Sequence, residues 1–474
     1  MPVSHKMQGR ILHDFSQGYK SIYIAFPQRI VWLHFPSFLC IMYKNRKGVF
    51  FVEYTIMDRG QLDAELACVN AAFEGWKAQG LKLNMARGKP SKLQLDLVSD
   101  ILSVLTDDSQ CHIDGVDVRN YGELSGLACA KAYWADVLGC KPEQTFVGGA
   151  SSLTLMYDVI SKAYSHGLAD SARPWCKEDV VKFLCPSPGY DRHFRITESF
   201  GAQLITVPMT ADGPDMDMVE ELVKDPAVKG IWCVPKYSNP EGVVYSDETV
   251  ARFANLKPAA RDFLIMWDNA YCVHEFEVEF KPFADIISLC AEAGRPNMVF
   301  EFASTSKITY PGAGISVMAA SEDNIKYMSK LMGVQMISYD KVNQLRHVLY
   351  LKDKENTLAL MKRHAQLMAP KFRTVLEKLE ADIAPCGFAQ WNKPTGGYFV
   401  SLNTMHGTAR RALALCAEAG VTMTDAGATY PYGIDPNDSN IRIAPSLPPV
   451  EELEKAMEVF CICLKKAALE KILG

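Results

Sequence analysis

The sequence predicts an α/β fold built on a mostly parallel sheet with helices on both faces, and three observations carry that reading. Between about residue 128 and residue 321, seven short β-branched apolar runs alternate with stretches of helical period: QTFVGG, VVKFLCPSP, AQLITVPM, VKGIWCVP, DFLIMWDNAY, MVFEFAS and ISVMAAS. Alternation of this kind calls for crossover helices between parallel strands. The 474 residues, 48% hydrophobic and 22% charged, suffice for two or three packed domains. From Ser321 to about 381 the chain is helical in period, a bridge into a smaller domain where PTGGYFVSL reads as a strand and RRALALCAEAG as a helix. The expected division is 57–110 as a segment packing on the small domain, 111–350 as the large domain and 351–474 as the small one.

Residues 1–56 differ in composition from the rest. Seven Lys and Arg against two Asp and Glu give +5 there, while the whole chain carries −5. The stretch 21–56 is crowded with aromatics yet interrupted by Pro27, Arg29, His34 and Pro36. A membrane span needs about 20 largely apolar residues, so these breaks argue against one, and no signal-peptide cleavage pattern is evident. The expectation is that translation properly begins at Met57, where MDRGQLDAEL opens an amphipathic helix, and that 1–56 is an atypical leader outside the fold. A net charge of −5 gives nucleic acid little electrostatic purchase. The 14 cysteines show no CxxC pair, which suits reduced thiols in a cytoplasm. Cys461 and Cys463 would point to different faces of a helix and read as core or surface thiols; no metal site is expected.

Ligands of open α/β sheets lie beyond the carboxyl ends of strands and at helix N-termini. After the first run, Gly148, Gly149, Ala150, Ser151 and Ser152 join strand to helix. Small residues there leave N–H groups open to an anion, although an ordinary helix start reads the same way. Asp268 ends DFLIMWD, with Tyr271 three residues on. A buried acid needs a cation or donors, such as a protonated ring nitrogen, but an N-cap or turn aspartate also fits. Asn239 opens a turn in KYSNPEG, and Tyr190 in CPSPGYDRHF either packs in the core or stacks on a flat ligand. Lys307 follows MVFEFAS among Ser304, Thr305 and Ser306. A lysine that attacks a carbonyl needs a neutral fraction, which burial supplies by lowering its pKa; a solvated surface lysine is the alternative. Arg442 lies between two isoleucines in SNIRIAPS, suited to bidentate carboxylate binding or to a structural ion pair.

In order and approximate spacing, GGASS, PGYDRH, NPEG, DNAY, STSK and NIRIAPS resemble the motifs of pyridoxal-phosphate aminotransferases of fold type I, class I/II. The resemblance covers essentially all of 57–474. It implies a large domain with a mostly parallel seven-stranded sheet, a smaller α+β domain, pyridoxal 5′-phosphate as cofactor, and amino acids and 2-oxo acids as substrates. Lys307 resembles the family's Schiff-base lysine, and Asp268 the acid that keeps the pyridine nitrogen protonated. Tyr271 and Asn239 match the pair that bonds the cofactor's phenolic oxygen, and Tyr190 the aromatic stacked on its ring. Gly149, Ala150, Ser151, Ser304 and Ser306 match the phosphate cup, while Tyr121 in NYGELSGL resembles a tyrosine reaching a phosphate in the neighbouring subunit of a homodimer. Arg442 matches the clamp for the substrate α-carboxylate, and Gly88 in MARGKPS the glycine of a mobile segment that closes over substrate.

One departure stands out. Most of the family has an arginine for the phosphate eight residues after the lysine, where this chain has Gly312, Ala313, Gly314 and Ile315. That form, with PGYDRHF and MARGKPS, resembles a bacterial branch of aspartate aminotransferases, which implies aspartate:2-oxoglutarate transamination with ping-pong kinetics. An alanine or aromatic specificity, or a lyase or decarboxylase on the same scaffold, would differ in the residues that bind the side chain. Arg87 and Arg192 are the candidates for a second carboxylate. A MocR-like ligand-sensing regulator would need a DNA-binding module of about 60–70 residues ahead of Met57, and the leader is too short and too aromatic for one.

Overall fold

The computed structural model describes residues 53–474 and, ahead of them, the backbone of three short antiparallel strands, Ile22–Phe26, Arg29–Leu33 and Leu39–Tyr43. The other expectations for the leader lie outside the described residues. At its end they need a correction. Tyr54 is 1% exposed, its ring stacked on Phe388 with centroids 5.5 Å apart, so the last residues of 1–56 belong to the fold. The helix expected after Met57 is α1 (Arg59–Lys77), started by Asp58, whose side chain accepts from the Gln61 N–H in a capping box.

The large sheet contains β1 (Thr145–Gly148), β2 (Lys182–Ser187), β3 (Gln203–Thr210), β4 (Gly213–Pro214), β5 (Val228–Cys233), β6 (Leu264–Asp268), β7 (Val299–Ser304) and β8 (Ser316–Ala320). Their order is β4-β3-β2-β5-β6-β7-β8-β1, with β8 antiparallel to both neighbours and β3, β2, β5, β6 and β7 parallel. All seven expected runs are strands. An eighth, β4, adds two residues that fold back on β3 through a turn in which Gly213 has φ 128°. Strand order reverses direction between β2 and β5, which puts the crevice at their carboxyl ends.

Alternation along β6 shows why the sheet is buried on both faces. Leu264 and Met266 join Leu155, Met156 and Val159 of α2 (Ser152–Ser165), while Ile265 and Trp267 join Val250, Phe253 and Ile287 on the opposite face. Burying each such side chain stabilises the fold by about 1.5–3 kcal/mol.

The smaller unit packs the antiparallel strands Gln390–Trp391, Val400–Asn403 and Asn440–Ile443 against α1 and two long helices, α4 (Lys354–Asp382) and α5 (Val450–Leu473). The strand read in PTGGYFVSL starts only at Val400. A Cβ on Gly396 would lie 2.6 Å from the His274 carbonyl oxygen and one on Gly397 2.7 Å from Tyr237 Cβ, so this glycine pair threads between side chains instead of extending the ladder. The tract after Ser321 is three helices, Glu322–Gln335, Lys341–Leu351 and α4, with breaks at Met336–Asp340 and at Lys352, where φ is 65°.

Candidate active site

The carboxyl ends of β2, β5, β6 and β7, the start of α2, and the small unit's Asn440–Ile443 strand border one cleft of about 700 Å³. Gly88, Ala150, Ser151, Tyr190, Asn239, Asp268, Tyr271, Ser304, Ser306, Lys307 and Arg442 all line it. Two sequence candidates stand apart. Gly149 lies one residue back, where a Cβ would sit 3.3 Å from Tyr339, and Tyr121 is 80% exposed on the outer surface.

Lys307 comes from the turn Thr305–Lys307 directly after β7. The turn is pinned from both sides: the Thr305 N–H donates to the Ile315 carbonyl at 2.8 Å, and the Ile315 N–H donates to Thr305 Oγ1 at 3.0 Å. Lys307 Nζ sits 4.8 Å from the Tyr271 ring centroid and 5.7 Å from that of Tyr398. Burial among these rings lowers its pKa, and the charge of Asp268 opposes that shift. Ser304 Oγ and Ser306 Oγ are 2.8 Å apart beside it.

Asp268 closes β6 and is buried. Its Oδ2 lies 2.9 Å from His193 Nε2, while its Oδ1 is buried with no partner. His193 is stacked on Trp232 at 4.4 Å with a 7° interplanar angle, so its ring cannot turn away. Sequence reasoning missed His193. The signal was present in PGYDRHF, since a residue three past Tyr190 on α3 (Asp191–Ser199) lies under the same face as that tyrosine. Tyr190 meets the His193 ring edge-on at 4.9 Å, and burial pushes its pKa up to about 12. Burial also drives the Tyr271 hydroxyl well above its ordinary range.

Arg442 Nη1 contacts Asn239 Oδ1 at 3.2 Å and Asp191 Oδ1 at 3.4 Å, and its Nη2 donates to Thr424 Oγ1 at 3.4 Å. Its guanidinium lies 5.0 Å from the centre of the Phe399 ring. The tip of that ring abuts Gly88, where a Cβ would come within 2.6 Å of Phe399 Cζ. Any larger residue at 88 would displace the ring on which Arg442 rests.

At the start of α2, Ser151 occupies the N-cap without a side-chain cap bond, leaving the helix's first N–H groups facing the cleft. Ile315, at the place of the family's arginine, is 1% exposed and lies behind Thr305. The loop before it is held by Asn343 Nδ2, which donates to the carbonyls of Ala313 and Gly314 at 3.1 and 2.9 Å. The cleft's other cations are Arg87, Lys89, Arg192 and Arg195; Arg87 and Arg192 are the two named from sequence, and Arg195 was missed.

These residues fit pyridoxal phosphate. The unpartnered Asp268 Oδ1 suits a protonated ring nitrogen, the uncapped start of α2 suits a phosphate, and the desolvated Lys307 suits an aldehyde. Among the described residues no group of three or more His, Cys, Asp or Glu is placed to hold a metal ion, and no helix is long and apolar enough to cross a membrane.

The sequence profile of the aspartate amino-transferase family matches residues 57–474. The chain belongs to this family. As an aminotransferase it is 49% identical over 402 residues to the aspartate aminotransferase of Corynebacterium glutamicum, a match covering 85% of this chain and 93% of that protein. The crystal structure of an aspartate transaminase from Corynebacterium glutamicum superimposes with a TM-score of 0.87 at 47% identity, covering 89% of this chain and 99% of that one. A solved structure from Corynebacterium diphtheriae matches with a TM-score of 0.83 at 48% identity, over 85% and 99% of the two chains. The chain is thus a fold type I, pyridoxal-phosphate-dependent aminotransferase that binds amino acids and 2-oxo acids.

Proposed function

We propose that this aminotransferase exchanges the amino group between aspartate and 2-oxoglutarate, using the cleft between its two units. The observation that supports the chemistry is the pairing of a desolvated Lys307 amine with an Asp268 whose inner oxygen has no partner. The likeness to an aspartate aminotransferase over 85% of the chain supports the substrate.

When bound, the cofactor supplies an aldehyde carbon for the substrate nitrogen and a ring that accepts the electron pair left at Cα. The chain's residues do the rest. Asp268, held by His193, would keep a proton on the ring nitrogen. Tyr190 supports the ring face, and Tyr271 and Asn239 serve the phenolic oxygen. Ala150, Ser151, Ser304 and Ser306, which line the cleft, would hold the phosphate. Arg442 would grip the α-carboxylate, with Gly88 closing over it, and Lys307 Nζ would take the proton from the substrate Cα. Ping-pong kinetics follow, because one 2-oxo acid leaves before the next arrives.

The test is a half-reaction screen, in which the holoprotein is mixed with single amino acids and the cofactor absorbance is followed. Aspartate and glutamate should react fastest. Fast alanine or aromatic residues with slow dicarboxylates would overturn the specificity, and release of ammonia or carbon dioxide would replace transamination by a lyase or decarboxylase.

The working unit we propose is a homodimer in which Tyr121 reaches the partner's phosphate. Tyr121 is 80% exposed, and its loop is fixed by Lys341 Nζ, which donates to the carbonyls of Asn120 and Gly122 at 2.5 and 3.0 Å. Val334 and Ile337 on the same side are 90% and 59% exposed, an apolar surface suited to a second copy. A fully active monomer in light scattering would disprove it. We place the enzyme in the cytoplasm, free of membrane and nucleic acid, on its net charge of −5 and unpaired cysteines; recovery in a membrane pellet would refute this. The domain division at 110/111 and 350/351 is also proposed, and limited proteolysis tests it.

A further inference from the structure

α3 presents four neighbours in series: Tyr190 at its cap, then Asp191, Arg192 and His193. Tyr190 and His193 serve the ring side of the cleft, but Asp191 turns to the substrate side. Its Oδ1 is 3.4 Å from Arg442 Nη1, and its Oδ2 is 4.0 Å from Arg192 Nε. Its side chain is 23% exposed, whereas that of Arg442 is 9% exposed. An acid in the first turn of a helix is also favoured by the helix dipole.

The contact has a chemical consequence. A substrate α-carboxylate binds a guanidinium through two parallel N–H bonds. On Arg442, Nε is buried without a partner and Nη2 has only the 3.4 Å contact to Thr424, while Nη1 is shared by Asn239 and Asp191. Asp191 therefore occupies the Nη1 that a carboxylate binding end-on through Nη1 and Nη2 needs, and its charge repels any carboxylate that approaches the guanidinium. Arg192, 54% exposed and already beside the far oxygen, is placed to receive Asp191 when it is displaced.

We propose that Asp191 is a built-in competitor for the α-carboxylate site, neutralising Arg442 while the cleft is empty and passing to Arg192 when substrate binds. Asp191 thus sets substrate affinity without touching the reacting carbon. The inference rests on Arg442 being the carboxylate clamp of the aminotransferase reading.

The test is the binding of propionate and succinate, which carry no amine and cannot react, to the holoenzyme by calorimetry. Asp191→Asn should bind both tighter by about fivefold, the scale of losing one partly exposed charge contact. Arg192→Gln should weaken propionate, which has no second carboxylate, by a similar factor in the native background and have no effect on it in the Asp191→Asn background. Unchanged or weaker binding by Asp191→Asn overturns the competitor role, and an Arg192→Gln effect of equal size in both backgrounds overturns the transfer. If the native holoenzyme transaminates and these outcomes appear, only this inference fails. If it transaminates no amino acid, the functional reading itself fails.

Discussion

Two buried aspartates flank β6, Asp262 just before it and Asp268 at its close, and their surroundings differ. At the amino ends, Lys229 Nζ contacts Asp262 Oδ1 at 2.9 Å, and Asp262 Oδ2 accepts from Ser171 Oγ at 2.7 Å and Trp175 Nε1 at 2.9 Å. Every oxygen of that carboxylate is used, and Lys229 and its other partners hold it below the ordinary carboxylate range against the cost of burial. At the carboxyl ends, Asp268 Oδ1 and Arg442 Nε are buried with nothing to bond, and Lys307 Nζ lies over the rings of Tyr271 and Tyr398. Leaving a buried polar atom unmatched costs about 1–3 kcal/mol. The same residue types thus serve stability where they are satisfied and await a ligand where they are not.

The contrast predicts that substitutions at the two ends fail differently. The largest effect is expected for Lys307→Ala, which should cut transamination at least about a thousandfold and abolish the cofactor's lysine-bound absorbance. The thermal midpoint of the cofactor-free protein should stay within a few degrees of native. Asp262→Ala should do the reverse, destabilising the fold by about 2–4 kcal/mol, because it leaves the buried Lys229 ammonium only its 3.5 Å contact to Glu178 and strips Ser171 and Trp175 of their acceptor. Denaturant melts would show this, and cofactor affinity measured at low temperature should be unchanged. If Asp262→Ala lost cofactor and Lys307→Ala lost stability, the comparison would be broken.

Arg442→Ala should raise the KM for amino acids about 10–100-fold, the loss of a charge-assisted pair, while cofactor titration remains native. The smallest effect concerns Glu301 on β7, whose carboxyl is raised to about 8 by burial, with the Asn269 side chain donating to it at 2.8 Å. The native state holds a proton that the unfolded chain releases above about pH 4.5, so this contribution to stability is complete below that and is lost as pH rises through about 8. Glu301→Gln should flatten the fall of the melting midpoint across this window. An unchanged pH slope would show that Glu301 ionises normally.

The sheet was legible because β-branched runs bounded by turn residues have one reading when helices separate them. Lys307, Asp268 and Arg442 were legible because each follows or lies in such a run. Other features depend on contacts distant in sequence. His193 acquires its role only when β6 brings Asp268 to it, 75 positions away. Asp191 is likewise an ordinary helix-start acid until the Asn440–Ile443 strand delivers Arg442. The burial of Tyr54 was hidden by the odd composition of its surroundings, since its partner Phe388 lies more than 300 residues downstream. The glycine pair Gly396–Gly397 gave a detectable signal, because two glycines inside an apolar run mark a close approach more often than an extended ladder.

Ile315 gives the cofactor's anchorage a particular character. Ile315 is buried behind Thr305, so a phosphate held as proposed would meet on that side the N–H groups opening α2 and the hydroxyls of Ser304 and Ser306 and no full positive charge at 315. Mobile ions screen net charges far more effectively than buried, oriented bonds. If the phosphate sits at this wall as proposed, its hold there should change little between low and high salt, and cofactor titration at the two ionic strengths would check it.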